Sequence, residues 1–316
     1  MSGGQRLPDV AALDWEERAS GEPHPWPRVW TLSGRSLDSE GTTRRLETWL
    51  RETRRADLRR CGVAHGIEPN GDGLLVVVAV DAFADLASLP RTVRVGEWVT
   101  VEARLRVPAQ NLKVFVLGPS GEPRALLASV DRASIRALFS PDRSGMFTVQ
   151  VVGDVAGGTR PLLAATLFAD IEAPSSPREP MAPGEEAGMA ISNESDGLAA
   201  MVNAARAASG HAPLLRSAEL DNAASFHALR MASLHDLAHD AGDGDPAERL
   251  AAAGIGGVEL GENLGRARDI VTAHRQIWNS PSHRANLLSD RFRRAGFAVV
   301  RDEQGEAWIV EEFAGR

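Results

Sequence analysis

The spacing of hydrophobic positions changes period along this chain, and the changes divide it. Residues 1–40 mix Trp, Pro and charged residues with no steady period and predict mostly irregular structure. Over 42–60, Leu46, Trp49, Leu50 and Leu58 recur at near-helical spacing and predict one Arg-rich amphipathic helix. From Gly62 the period drops toward two. Short apolar runs at 74–80, 93–107, 112–117, 124–130, 134–139, 146–152 and 162–168 alternate with turn residues such as Pro119-Ser120-Gly121 and Gly157-Gly158. Even spacing of strands with turn chemistry between them is the pattern of a β-sandwich. Pro174, Pro177, Pro180 and Pro183 then lie among Ser, Gly and Glu, predicting an extended linker over 173–191.

After residue 191 the helical period returns. Leu198, Met201, Val202 and Ala205 form one stripe, with Asp196 as the expected cap and Gly210 as the stop. Leu220, Ala224, Met231 and Leu234 form a second stripe behind Ser217, and His227 falls on the same face as a packed histidine with one hydrogen bond. Asp245-Pro246-Ala247-Glu248 has the sequence of a capping box with proline at the first helical position. Residues 258–264 read as extended. Asp269 opens a further helix with Ile270, Ala273, Ile277 and Trp278 inward, and Ser280-Pro281 stops it and starts the next, over 281–288. A closing hairpin runs from Gly296 to Phe313 through a turn at 302–305. Helices around a small antiparallel sheet make this part α+β. The expected organisation is multidomain α+β: an N-terminal α/β segment over 1–82, an immunoglobulin-like β-sandwich over 83–172, the linker, and an α-β-α domain over 192–316. For the sandwich, Gly145-Met146-Phe147-Thr148-Val149-Gln150-Val151 resembles the late strand of immunoglobulin-like domains, which speaks to fold alone.

Composition narrows the function classes. A net charge of −8 argues against sequence-independent nucleic-acid binding, which needs a basic face. No apolar run reaches the roughly 18–20 residues of a membrane span. Asp9, Asp14, Glu16 and Glu17 with no apolar core among them are unlike a signal peptide, so the expectation is either a cytoplasmic protein or a signal that this sequence does not include. The lone Cys61 excludes an internal disulfide and reads as a small buried hydrophobe.

Candidate chemistry is concentrated late in the chain, in His239, Gly261-Glu262-Asn263 and Trp278-Asn279-Ser280-Pro281-Ser282-His283-Arg284-Ala285-Asn286-Leu287-Leu288. Asp240, Asp243 and Asp245 crowd beside His239, but Ala251 stands where a calcium loop carries its closing Glu, so they read as a turn and a helix cap. Ser282 adjoins His283, yet neighbours at a helix start point apart. There is no nucleophile elbow and no His-Glu-x-x-His run.

In this order and spacing these pieces resemble the bacterial branch of the CAP superfamily, which includes cysteine-rich secretory proteins, antigen 5 and plant pathogenesis-related proteins. The quoted residues are Asn203-Ala204-Ala205-Arg206 with Pro213-Leu214, then Met231, His239, Arg249, Gly261-Glu262-Asn263, Trp278 with the run through Leu288, Gly296-Phe297 and Trp308-Ile309-Val310. The resemblance covers about 192–316. It implies an α-β-α sandwich with a surface cleft in which His239 and His283 match the two histidines and Glu262 the acid. Where many eukaryotic relatives carry a second glutamate, this sequence has Pro281. The resemblance also implies an extracytoplasmic location, in the secreted fraction or the cell envelope. Three readings stand: a cleft binding a small ligand, lipid, envelope protein or Zn²⁺; a hydrolase using His239, Glu262 and His283 with or without Zn²⁺; and a structural domain with a vestigial cleft. His239, following a helix into a Gly/Asp-rich loop, is the residue of the three expected to face solvent.

One internal similarity remains. Arg59-Arg60-Cys61-Gly62-Val63-Ala64, Gly71 and Leu74-Leu75-Val76 align without gaps onto Arg293-Arg294-Ala295-Gly296-Phe297-Ala298, Gly305 and Trp308-Ile309-Val310, with Trp49 opposite His283. Either residues 40–82 copy the closing helix–hairpin without its histidine, or two Arg-rich helix–hairpin units are alike by chance.

Overall fold

The computed structural model describes residues 13, 16–17, 20–35, 37, 40–52, 58–156, 158–175, 180–256 and 259–315. They group into two units: 1–114, 126–153 and 161–177 in one, and 115–125, 154–160 and 178–316 in the other. Of the four acidic residues near the start, Asp9 and Asp14 lie outside the described residues.

In the first unit, β1 (Arg28–Gly34), α1 (Glu40–Glu52), β2 (Arg59–Ile67) and β3 (Gly73–Asp81) make a three-stranded sheet of order β1-β3-β2 with one helix. The helix is shorter than its period suggested, and β1 lies where irregular structure was expected. The reason is Asp81, only 5% exposed, which accepts hydrogen bonds from Arg28 (2.6 Å) and Arg59 (3.1 and 3.2 Å). A buried carboxylate needs such partners, and this one draws Arg28 and Arg59 into strands. Cys61 is exposed, contrary to the sequence reading, because β2 is an edge strand whose residues are nearly all open to solvent.

Next come β4 (Ala84–Leu86), β5 (Thr92–Val93), β6 (Val99–Leu105), β7 (Gln110–Leu117), β8 (Arg124–Leu126), β9 (Ala128–Asp131), β10 (Ser134–Phe139), β11 (Gly145–Val155) and β12 (Gly158–Ala169). They form two sheets, β4-β6-β10-β9 and β5-β12-β11-β7-β8. Alternation is carried through: Val99, Val101, Ala103 and Leu105 are buried on β6, and Ile135, Ala137 and Phe139 on β10. The run 124–130, read as one strand, is two strands in different sheets.

The second unit holds α2 (Glu185–Met189), α3 (Glu194–Ala208), β13 (Leu215–Arg216), α4 (Ala218–Leu234), α5 (Pro246–Ala252), β14 (Leu260–Ala267), α6 (Ile270–Asn279), α7 (Pro281–Leu288), β15 (Arg294–Arg301) and β16 (Ala307–Ala314). Its sheet has the order β13-β15-β16-β14. On one face Ala224, Ala228 and Met231 of α4 pack against Leu264, Ala298, Trp308 and Val310. On the other, Leu198, Val202 and Ala205 of α3, Ile277 and Trp278 of α6 and Leu287 and Leu288 of α7 meet Phe297, Ile309 and Phe313. Gly296 is required by the first contact, because a Cβ there would overlap the backbone of Leu220 and Asp221.

Two local expectations are corrected. The cap of α3 is Asn193, whose side chain accepts from the Asp196 amide at 3.1 Å, because the helix begins earlier than its apolar stripe. The stretch read as linker is packed in its second half. Gly184 (φ 87) and Gly188 leave room for Met201, while Glu185 accepts from Arg275 at 2.6 and 2.8 Å and from the Ala182 amide at 2.6 Å. Proline composition carries no signal of these glycine contacts.

The internal similarity extends into three dimensions. Arg60↔Val80 through Ile67↔Gly73 and Arg294↔Ala314 through Arg301↔Ala307 are the same pairings position for position under the gapless alignment. The turns match too: Glu68 and Asp72 close one (2.8 Å), Asp302 and Glu306 the other (3.1 Å), with Gly71 at φ 85 and Gly305 at φ 81. A third strand lies antiparallel on the equivalent inner strand in each sheet, β1 on β3 and β14 on β16. What differs is the cover. Gly62, the counterpart of Gly296, has nothing within 4 Å of an added Cβ.

Candidate functional site

The candidate site is built on Gly261-Glu262-Asn263 in β14, where each residue faces a different requirement. A Cβ at Gly261 would lie 2.6 Å from Phe292 Cζ, so the glycine lets that ring reach the core. Asn263, on the α7 side, donates to the His283 carbonyl (3.1 Å) and to Glu311 Oε2 (2.9 Å), and accepts from Asn286 (3.0 Å). Asn286 also donates to the Glu262 carbonyl at 3.2 Å. These bonds fix the start of α7, and with it His283, against the sheet. Alternation along the strand sends Glu262 to the opposite face.

There Glu262 is held from two sides. His239 Nδ1 lies 2.5 Å from Oε1, and Arg249 donates to Oε2 in a short contact. Arg249 also donates to the carbonyls of His239 (2.6 Å) and Gly244 (2.5 Å), so one guanidinium ties the His239 loop to the sheet. Its position follows from local sequence, because the capping box of Asp245 and Glu248 with Pro246 starts α5 one turn before it. Asp240 accepts from the amides of Gly242 and Gly244, and Asp243 from Ala241 and His227, so the acidic cluster serves as turn and cap.

His227 is fully buried, with Nδ1 on Asp243 at 2.8 Å and Nε2 on the Ala238 carbonyl at 3.0 Å, one partner more than expected. The His239 side chain is 16% exposed and that of Glu262 1%, so of this pair His239 is the one that reaches solvent. Among the described residues the His283 ring shows no hydrogen-bond partner.

The electrostatics follow from burial. Desolvation lowers His239 to a pKa of about 4, with Arg160 and Arg249 acting in the same direction. His283 is also lowered to about 4, by burial and then by His239. Both imidazoles are therefore neutral near neutral pH. The His239–Glu262 contact is thus a hydrogen bond of a neutral ring, and with Glu262 ionised the Nδ1–H donates and Nε2 is left as an acceptor. Burial raises Glu262 to about 7 against the pull of Arg249.

Two carboxylates escaped the sequence reading. Glu312 is paired with Glu262 across β14 and β16, fully buried, with Arg249 at 3.6 Å, and burial and Glu262 push its pKa well up. Glu311, on the other face with Asn263, is raised to about 7 by burial. The available signal was two adjacent acids inside a strand whose other residues are apolar.

Zinc requires ligands with free lone pairs. Glu262 already directs Oε1 to His239 and Oε2 to Arg249. Among the described residues no group of three His, Cys, Asp or Glu is arranged to hold a metal ion. The set His239, His283 and Glu262 therefore does not fit a three-ligand zinc centre in this arrangement.

Residues 199–313 match the model of the family described as CAP, the cysteine-rich secretory protein family. No match is found among curated proteins. Among solved structures, an outer surface protein of Borrelia burgdorferi is 18% identical, with 38% of this chain and 90% of that one covered at a TM-score of 0.36. An extracellular SCP-domain protein of Bacillus anthracis is 16% identical over 69% and 78%, at 0.37. A cysteine-rich secretory protein of Staphylococcus aureus is 16% identical over 86% and 90%, at 0.35.

Proposed function

Residues 199–313 are a CAP domain, and from that premise we propose that this is an extracytoplasmic protein whose cleft, between His239, Glu262 and His283, binds a ligand without transforming it. The observation that carries the reading is the fixed His239 ring: Glu262 holds Nδ1 at 2.5 Å, Arg249 holds Glu262, and Nε2 remains for an incoming hydrogen-bond donor. His283 supplies a second neutral ring beside it. A general base works best with a pKa near the working pH, and a value of about 4 for His239 favours binding over proton abstraction. The family's secretory character supports the location, and among the described residues no helix is long and apolar enough to cross a membrane. Residues 83–172, with their two sheets, are in this reading an immunoglobulin-like spacer.

The hydrolase reading is favoured by one feature, a carboxylate orienting an imidazole. Two assays on the full chain, its His239→Ala and its His283→Ala separate the readings: titration with phosphatidylglycerol vesicles, and p-nitrophenyl acetate turnover. Saturable heat with the vesicles that disappears in both variants supports the binding cleft. Turnover lost with His239 moves the assignment to the hydrolase. Identical behaviour of all three proteins leaves a structural domain with a vestigial cleft and overturns the proposal.

A further inference from the structure

The strand β2 is the outer strand of its sheet, and every residue from Arg60 to Ile67 is exposed. The opposite edge, β1, is half-buried everywhere but at Ser33. In the C-terminal hairpin the strand equivalent to β2 is β15, and there the same edge is taken: β13 pairs with it at Leu215↔Arg294 and Arg216↔Ala295. Among the described residues no strand pairs with the corresponding edge of β2. The register says which backbone groups are free. The Ala82 amide donates to the Leu58 carbonyl at 2.9 Å at one end of the hairpin, and the Glu68 amide to the Asp72 carbonyl at 2.8 Å at the other. Hydrogen-bonded positions alternate along an antiparallel pair. Arg60, Gly62, Ala64 and Gly66 therefore bond to β3, while Cys61, Val63, His65 and Ile67 turn their amides and carbonyls outward. Edges that stay single are guarded by charge, proline or a bulge. Residues 61–67 contain no Asp, Glu, Lys, Arg or Pro, and Val63 and Ile67 are 63% and 82% exposed.

We propose that β2 pairs antiparallel with β2 of a second copy of this chain, about a two-fold axis at Ala64, joining the two sheets edge to edge. Such a contact is isologous: one strand supplies both halves. In this register Cys61 faces Ile67, and Val63 faces His65, as hydrogen-bonded pairs. Gly62 faces Gly66 and the two Ala64 face each other at the closer, non-hydrogen-bonded positions. Charge selects the register. The next pair outward, at both ends, is Arg60 with Glu68, opposite signs directly across from each other. The Arg60 side chain is half exposed and already lies 3.7 Å from Glu22 and 3.6 Å from Asp85, so Glu68 of the second copy joins that network. An axis at Val63 instead sets Arg60 against Gly66 and Glu68 against Leu58, with no charge pair. Pro69, lacking an amide hydrogen, ends the pairing beyond Glu68.

The test is sedimentation equilibrium of the full chain, which should show a dimer that dissociates on dilution. Val63→Pro removes an outward amide and leaves the ladder to β3 in place. It should raise the dissociation constant at least about tenfold, since the two-fold axis makes one substitution remove two hydrogen bonds. Its far-UV spectrum and melting temperature, read at concentrations where both proteins are monomeric, should match the wild type. If the proline variant melts early, Glu68→Arg decides: it sets two arginines opposite each other at each end and should weaken the dimer several-fold. The register has its own readout. In Cys61→Ser/Ala64→Cys the two cysteines meet at the axis with Cβ atoms about 5 Å apart, and mild oxidation should give a disulfide-linked dimer. Cys61 of the wild type lies about 20 Å from its counterpart and should not cross-link. A wild type that stays monomeric at its highest soluble concentration overturns the proposal. So does a dimer unchanged in a folded Val63→Pro or in Glu68→Arg, or one in which Ala64→Cys fails to cross-link.

Discussion

His239 and Glu262 are joined by a hydrogen bond of 2.5 Å across 23 residues of chain, and Arg249 closes on the same carboxylate from the far side. The loop, the helix α5 and the strand β14 meet at this one carboxyl group. Removing it takes the nearest carboxylate from a buried guanidinium and leaves only the longer contacts to Glu312 (3.6 Å) and Asp243 (3.9 Å), which is costly. Glu262→Ala should destabilise the protein by about 3 kcal/mol, read as a lower urea midpoint at unchanged slope. A variant as stable as the wild type would mean that Arg249 and the loop are held without Glu262.

Gly296 and Gly62 occupy equivalent positions in two hairpins of the same register, and they differ in what lies above them. Alanine at Gly296 meets the backbone of α4 and should cost about 3 kcal/mol or more through overpacking. Alanine at Gly62 meets nothing and should stay within about 0.5 kcal/mol of the wild type. Equal melting temperatures for the two variants would contradict the difference in cover.

Glu311 gives stability a pH dependence of known sign. Its folded pKa is about 7 against an ordinary 4.5. Between these values the folded state holds more protons than the unfolded one, so this group's contribution falls as pH rises through that window. Glu311→Gln, which keeps a partner for Asn263, should gain on the wild type progressively from about pH 4.5 to 7, by on the order of 3 kcal/mol in total. His239 and His283, lowered from 6.5 to about 4, act oppositely, adding stability as pH rises through that lower range. A difference between variant and wild type that is flat with pH would remove the assignment to Glu311.

Arg206 is fully buried and donates to the carbonyls of Ala212 (2.8 Å), Leu287 (2.7 Å) and Ser289 (3.1 Å). It closes the end of α7, whose start carries His283. Arg206→Ala strands these carbonyls and should lower stability by about 3 kcal/mol, measured by calorimetric melting. Preserved stability would show that water or backbone adjustment replaces the guanidinium.

Much of the C-terminal fold is local and could be read directly. The capping box of Asp245 and Glu248 needs three consecutive bonds of chain geometry and no tertiary partner, and it forms as expected. The same holds for Asp269, whose side chain accepts from the Thr272 amide at 2.7 Å. Strands β6 and β10 follow from alternation. By contrast, α2 depends on Gly188 meeting Met201, a contact that proline counting in the same stretch conceals. Cys61 is exposed because of an edge position, which is a property of the sheet and not of the residue's neighbours in sequence.

The candidate site divides along the same line. The sequence determined which side chains are available, namely His239, Glu262, His283 and the glycine and asparagine around the acid, because motif spacing survives without coordinates. Tertiary structure alone decided their state. Pairing β14 with β16 put Glu312 beside Glu262, α5 delivered Arg249 to it, and the carboxylate of Glu262 fixed the ring of His239. Burial, partner and protonation are set by what surrounds a group in space, and these surroundings come from residues far apart in the chain.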